Sequence, residues 1–308
     1  MASPIKKVCL VGANGTLGSV ILAALVQANC FDVSILQRST SSSSSSSASA
    51  SASASIPRII VGPDLAVDEL TAALAGQDAV IAAFPLGQGD QHLRLAEACS
   101  RRPALHPRRL RKLRRRRPQA TGTLVRERCE ELAARPGSAF TWTALVCGHF
   151  FDHGLWDGLL HFDLATRTAQ ILDGGNVRAS ASTLRRIAEA TVRVLQRAEQ
   201  TSNRRIYVQS FNPTQLEVLA ALEKAMGEKW HARHVDSRAY LEDARKRLDS
   251  DDEEAVLVAV EDVVFVLGAL DADWTKREGF AMELLGLEDE KLEDVVAEVV
   301  AAYRAETS

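Results

Sequence analysis

The sequence predicts an α/β protein, a doubly wound parallel sheet followed by a smaller α/β lobe. Three observations predict it. The short apolar run Val8-Cys9-Leu10-Val11 enters the turn Gly12-Ala13-Asn14-Gly15-Thr16-Leu17-Gly18, and an apolar-periodic segment, Val20 to Val26, leaves it. Further short β-branched runs alternate with helical periodicity, as in parallel strands joined by crossover helices. At 308 residues the chain is long enough for one large α/β unit or two coupled lobes.

The totals exclude several classes. Composition is that of an ordinary globular protein, 46% hydrophobic and 25% charged with a formal net charge of −3. No apolar run approaches the roughly 18 residues a membrane span needs. Met1 to Lys7 passes straight into a strand without a signal-peptide core, so the expected location is the cytoplasm. The cysteines, Cys9, Cys30, Cys99, Cys129 and Cys147, are dispersed and odd in number, which favours reduced thiols over a disulfide framework or a zinc site. Cys9 and Cys147 sit in apolar strands as small core residues. No other spacing suggests a metal ligand set.

In the first turn each glycine has a reason. Gly12 permits a tight turn, Gly15 lets the backbone approach a pyrophosphate, and Gly18 lets the helix pack on the strand. The helix N-terminus offers N–H groups to the anion. The spacing is G-x-x-G-x-x-G, and an ordinary βα turn is the alternative, but the position after an N-terminal strand favours a dinucleotide. Gly12, Asn14, Gly15, Thr16, Leu17 and Gly18 are therefore candidate cofactor contacts.

The second strand, Phe31 to Arg38, ends on a base. An acid there suits the free ribose hydroxyl of NAD and an arginine suits the 2′-phosphate of NADP, so Arg38 points to NADP(H), with a solvated loop arginine as the alternative. Residues 39–55 form an almost pure Ser/Ala tract with nothing to bury, an expected disordered insertion. Arg58 to Gly62 reads as the third strand, Asp64 to Leu74 as a helix, and Asp78 to Phe84 as the fourth strand. Phe84 and Pro85 stand at its carboxyl end, where such sheets bind ligands, and complete the candidate cofactor contacts. Residues 101–117 then hold ten Arg or Lys and no acid; without them the formal charge would fall from −3 to −13. Such a block reads as a nucleic-acid or nuclear-localisation patch. It stands where a fifth strand is due, and a doubly wound sheet cannot bury it.

Together, Gly12 to Gly18, Arg38, Asp78-Ala79-Val80, Val125 to Leu132, Phe140 to Asp152, Asp173-Gly174-Gly175 and Asn203 to Val208 resemble the NmrA-like, isoflavone reductase-like family of atypical short-chain dehydrogenase/reductases, in its fungal form. The resemblance covers most of the chain except 39–55 and 101–124. It implies a Rossmann-type NAD(P)-binding domain over 1–152 and a substrate-binding lobe over 153–308. It also implies a fifth strand of the type V-x-R-F-I-P in place of the arginine block. Codons compatible with 101–116, read one base later with their third bases left free, spell Gly-Val-Arg-Arg-Phe-Ile-Pro-Ala-Asp-Phe-Gly. The aberrant segment 101–124 is accordingly read as a frameshift, expected to form a disordered or helical basic excursion.

The resemblance further implies a general acid/base lysine shortly ahead of the Val125-Arg126 pair, its pKa lowered by a desolvated, cation-rich site. That position is about Gly122, and no lysine occurs between Lys112 and Lys224. His149, Asp152 and His153, beside the expected substrate mouth, offer weaker acid/base candidates or else a polar rim. Phe150 and Phe151 line an apolar pocket or belong to the core. The Tyr-x-x-x-Lys pair of the typical short-chain dehydrogenases is absent.

The second lobe is expected to contain helices over Thr183–Gln196, Thr214–Met226, Ala255–Leu270 and Leu292–Tyr303. Strands are expected at Ile206–Val208 and Trp230–Val235, and an acidic run from Asp249 caps the helix after it. Ala255–Leu270 is apolar enough to be core. The resemblance implies an NADPH-dependent oxidoreductase acting on a small aromatic or apolar molecule, with turnover in doubt without the lysine. The alternative is an NADP(H)-binding sensor that engages a protein partner without turnover. Nucleic-acid binding through 101–117 ranks last, because the frame argument explains the block without a partner.

Overall fold

Alternate residues of the first strand serve two different cores. The structure, a computed structural model, describes residues 4–39, 56–85, 88–101, 118–250 and 252–307. Strands β1 (Lys7–Val11), β2 (Asp32–Arg38), β3 (Arg58–Val61) and β4 (Ala79–Ala82) lie in the order β3-β2-β1-β4, every pair parallel. Val8 and Leu10, with Ile35 of β2, pack against Ile21, Leu22 and Leu25 of α1 (Thr16–Ala28). Cys9 and Val11, with Leu36 and Val61, face Leu70 and Leu74 on and just after α2 (Val67–Ala73) and Leu95 and Ala98 of α3 (Gly89–Ser100). Two-residue side-chain alternation with helices on both faces is what makes the sheet doubly wound.

The helix expected from Asp64 begins only at Val67. Leu65 adopts the left-handed region (φ +48°) and its N–H donates to Gly62 O at 3.2 Å, so its buried side chain is set by a turn. The arginine block lies outside the described residues except for Arg101, which donates to Asp68 Oδ1 at 2.6 Å. The Ser/Ala tract beyond Ser39 also lies outside them, so the expectations of disorder or a basic excursion fall there. The chain is described again from α4 (Pro118–Ala133), which Arg128 ties to buried Glu97 of α3 at 2.6 Å.

The chain divides into two compact units, 1–144 with 188–205 and 145–187 with 206–308. β5 (Thr143–Val146) leads to β6 (His149–Phe150) and α5 (Phe151–Trp156). β7 (Phe162–Asp163) runs antiparallel to β8 (Thr168–Leu172), and β9 (Ala181–Ser182) pairs parallel with β6. The division runs through α6 (Leu184–Gln196), whose Ala188 and Val192 join the α1 side of the first core. The short α7 (Ala198–Thr201) precedes β10 (Arg204–Tyr207), which pairs with β5.

In the second unit α8 (Gln215–Met226) precedes β11 (His231–Val235), which pairs parallel with β8. α9 (Ser237–Arg247), α10 (Glu253–Leu270), α11 (Met282–Leu285) and α12 (Leu292–Thr307) follow. Its main core gathers Phe151, Leu155, Ile171, Leu222 and Val296. α10 starts where the acidic run predicts, with Asp252 accepting from Glu254 N at 3.0 Å. It is core along one stripe only. Phe265, Val266 and Ala269 are buried with Leu172, whereas Leu257 and Val264 are exposed, because a straight helix turns only one face to its neighbours.

α8 has both of its ends specified locally. Thr214 and Glu217 form a reciprocal capping box, and Gly227 ends the helix at φ +73°. Thr214→Ala should cost about 1 kcal/mol in denaturant unfolding, the ordinary value of an N-cap. Among the described residues no helix is long and apolar enough to cross a membrane.

Candidate functional site

β1 and β4 are neighbours, while β2 and β3 lie on the other side of β1. The crossover direction therefore reverses between β1 and β4, and their carboxyl ends flank the crevice in which doubly wound sheets hold ligands.

The turn after β1 is built by absent side chains. Gly12 has φ +90°, and a Cβ there would stand 2.4 Å from Ala83 O. A Cβ on Gly18 would stand 2.0 Å from Gly12 O and 2.7 Å from Gly12 C. Both glycines are thus compelled by backbone packing. Gly15 differs: its N–H donates to Gly12 O at 3.0 Å, and a Cβ would meet only that oxygen, at 3.4 Å. Its outer side is open.

Gly15 is also the N-cap of α1, in an extended conformation, with no side chain capping the helix and no acid in its first turn. Asn14, Gly15 and Thr16 are exposed, Leu17 is half-buried and Gly18 is buried. The first N–H groups of a helix have no intrahelical acceptor, so an anion fits this end. A dinucleotide pyrophosphate fits the open cradle over Gly15. The side chain of Arg38, half-buried at the end of β2, has no hydrogen-bond or ion-pair partner among the described residues, and a guanidinium is a suitable donor to a phosphate.

Across the crevice, Phe84 and Pro85 follow β4. The Phe84 ring stacks on His92 of α3, centroids 3.8 Å apart at 18°. His92 Nε2 lies 3.2 Å from Phe84 O and 3.3 Å from Pro85 O. Burial pushes the imidazole below its usual pKa range, only partly offset by these two carbonyls. Nothing in the sequence singles out His92; its spacing from Pro85 becomes meaningful only when α3 folds back on the sheet.

The acid/base candidates do not converge. Gly122 is a half-buried residue of α4 and brings no side chain to the place where the resemblance implies a lysine. His149 Nε2 is buried with no hydrogen-bond partner among the described residues, and burial lowers its pKa. Its ring lies against Gly268 of α10, where a Cβ would be 1.8 Å from Nε2. Asp152 serves helix ends, accepting from Leu184 N at 3.1 Å and His153 N at 3.0 Å. His153 turns to Asp157, with Nε2 3.3 Å from Oδ2. Phe151 is core, edge-on to Phe211 at 4.6 Å, while Phe150 is half-buried. Burial raises the Cys99 and Cys147 thiols to about 12 and Cys129 to about 11, so they stay protonated near neutral pH.

Residues 12–105 match a family model described as NAD(P)H-binding. The oxidoreductase poxI of Penicillium oxalicum is 30% identical over 310 residues, covering 94% of this chain and 92% of that protein. Among solved structures, an isoflavone reductase superposes with a TM-score of 0.71 at 17% identity, covering 96% of this chain and 99% of that one. AtPrR2, solved with NADP+ and (+)pinoresinol, gives 0.71 at 16% identity, covering 97% and 100%. At such identities the structural matches establish the fold.

Proposed function

Since this chain belongs to the NmrA-like, isoflavone reductase-like family of NAD(P)H-binding oxidoreductases, we propose that it uses NADPH to reduce a small aromatic or apolar substrate. The observation that carries the reading is the cradle at the β1–β4 crevice, an open Gly15 before a helix without a side-chain cap, with the Arg38 side chain at the end of β2 unpaired among the described residues. Gly12, Asn14, Gly15, Thr16, Leu17 and Gly18 would follow the pyrophosphate. Arg38 would take the 2′-phosphate, and Phe84 and Pro85 would form the opposite wall. When bound, NADPH would supply the hydride, and these residues would position it.

A second reading, a dinucleotide-sensing protein that binds NADP(H) and a protein partner without turnover, is favoured by one specific feature. The resemblance implies a proton-donating lysine at about Gly122, and this chain has no lysine between Lys112 and Lys224 to protonate a reduced substrate. His149, enclosed beneath Gly268, is a poor substitute.

Fluorescence titration with NADPH and NADH tests what the two readings share, and an NADPH oxidation assay separates them. The wild type should prefer NADPH, and Arg38→Ala should weaken NADPH binding about 10- to 100-fold with little effect on NADH, the worth of charged hydrogen bonds to a phosphate. Absence of any dinucleotide binding overturns both readings. An unchanged preference in the variant overturns the role of Arg38. Oxidation of NADPH with an aromatic substrate panel supports the reductase, and tight binding without oxidation supports the sensor.

A further inference from the structure

We propose that His92 is a positioning residue for the dinucleotide: it holds the Phe84–Pro85 backbone against the glycine turn, so that the two walls of the β1–β4 crevice stay in register. The inference rests on the cofactor reading above and adds to it a residue outside the turn.

The wall after β4 is in close contact with the turn it faces. Ala83 N still donates to Val11 O at 2.9 Å, as an extension of the ladder. At Gly12 an added Cβ would lie 2.4 Å from Ala83 O, 2.9 Å from Ala83 C and 3.4 Å from Phe84 Cβ. No side chain stands between the two backbones. A shift of a few tenths of an ångström at Ala83–Phe84 is thus passed directly to Gly12, and through the Gly15 N–H to Gly12 O bond to the cradle.

Past Ala83 the ladder ends, and His92 takes over the restraint. Both groups facing its Nε2 are carbonyl oxygens, at 3.2 and 3.3 Å, and accept only. Nε2 must therefore carry the proton, in a tautomer imposed by the loop. The ring also stacks flat on Phe84, so one buried side chain grips both the main chain and the aromatic side chain of this wall. Its own placement is secure, since α3 is anchored by Glu97 to Arg128 of α4.

The test uses the full chain and NADPH titration beside thermal unfolding. His92→Phe keeps a ring for stacking and removes the donor; His92→Gln keeps a donor and removes the ring. The expected result is an NADPH Kd raised about tenfold in His92→Phe, the worth of one hydrogen bond. His92→Gln should recover to within about threefold of wild type, even if it melts lower. A variant Kd equal to the wild type in His92→Phe overturns the proposal. So does an equal loss in both variants that tracks the unfolding temperature, the mark of a merely structural residue. Phe84→Ala gives an independent arm: its loss must not add to that of His92→Phe, because both act through one wall, and full additivity overturns the proposal. Failure of the wild type to bind NADPH would instead refute the cofactor reading, so the two failures are distinct.

Discussion

Gly18→Ala will lose NADPH binding by more than about a hundredfold and destabilise the first unit by about 1–3 kcal/mol, the usual range for overpacking a tight contact. The new methyl would stand 2.0 Å from Gly12 O, 2.7 Å from Gly12 C and 3.1 Å from Ala13 Cα. All three atoms are backbone, so no rotamer change relieves the clash and α1 must move away from the turn. Its N–H groups and the cradle move with it. Gly15→Ala is the matched comparison. Its methyl meets only Gly12 O, at 3.4 Å, so the protein should keep its stability to within about 1 kcal/mol. The methyl would nevertheless occupy the space a pyrophosphate needs, and the NADPH Kd should rise. Fluorescence titration beside denaturant unfolding checks both. Tight binding by Gly18→Ala would mean that the cradle does not hold the cofactor.

The second large effect lies in the other unit and reverses sign with its background. Gly268→Ala should destabilise the protein by about 1–3 kcal/mol, because its Cβ would fall 1.8 Å from Nε2 of the buried His149. In a His149→Ala background the obstacle is gone. Alanine is then the better residue inside α10, by about 1 kcal/mol, and the same substitution becomes stabilising. Unfolding of the wild type, both single variants and the double variant measures the coupling. Additive effects would show that the helix and the imidazole do not meet.

His149 also carries a pH signature. Burial, with His161 nearby, holds its folded pKa below the ordinary 6.5, so the unfolded chain binds the proton more readily. Stability therefore falls as pH drops below about 6.5, and His149→Ala should flatten that fall.

Several elements were legible because their signals are local. The strand–glycine turn–helix, the limits of α8 with its capping box and Gly227, and the acidic start of α10 all follow from neighbouring residues. The absence of lysine between Lys112 and Lys224 is plain in the sequence, but that one is due near Gly122 is implied only by the family resemblance. Other features were misread or unseen for want of partners. The spacing of His149, Asp152 and His153 left an acid/base role and a polar rim open, and only packing shows Asp152 accepting from Leu184 N at the start of α6, 32 residues on. Asp64 to Leu74 has helical periodicity, but the Gly62–Leu65 turn consumes its first residues.

By itself the sequence determined the alternation of strands and helices, the three glycines and the basic end of β2, because periodicity and backbone freedom act over a few residues. Tertiary structure alone decided that Gly12 and Gly18 are locked by Ala83 and by each other, that His92 grips the opposite wall, and that His149 lies beneath Gly268. The reason is physical. These contacts join segments far apart in the chain, and their energies depend on distances that exist only after the sheet and its helices have packed.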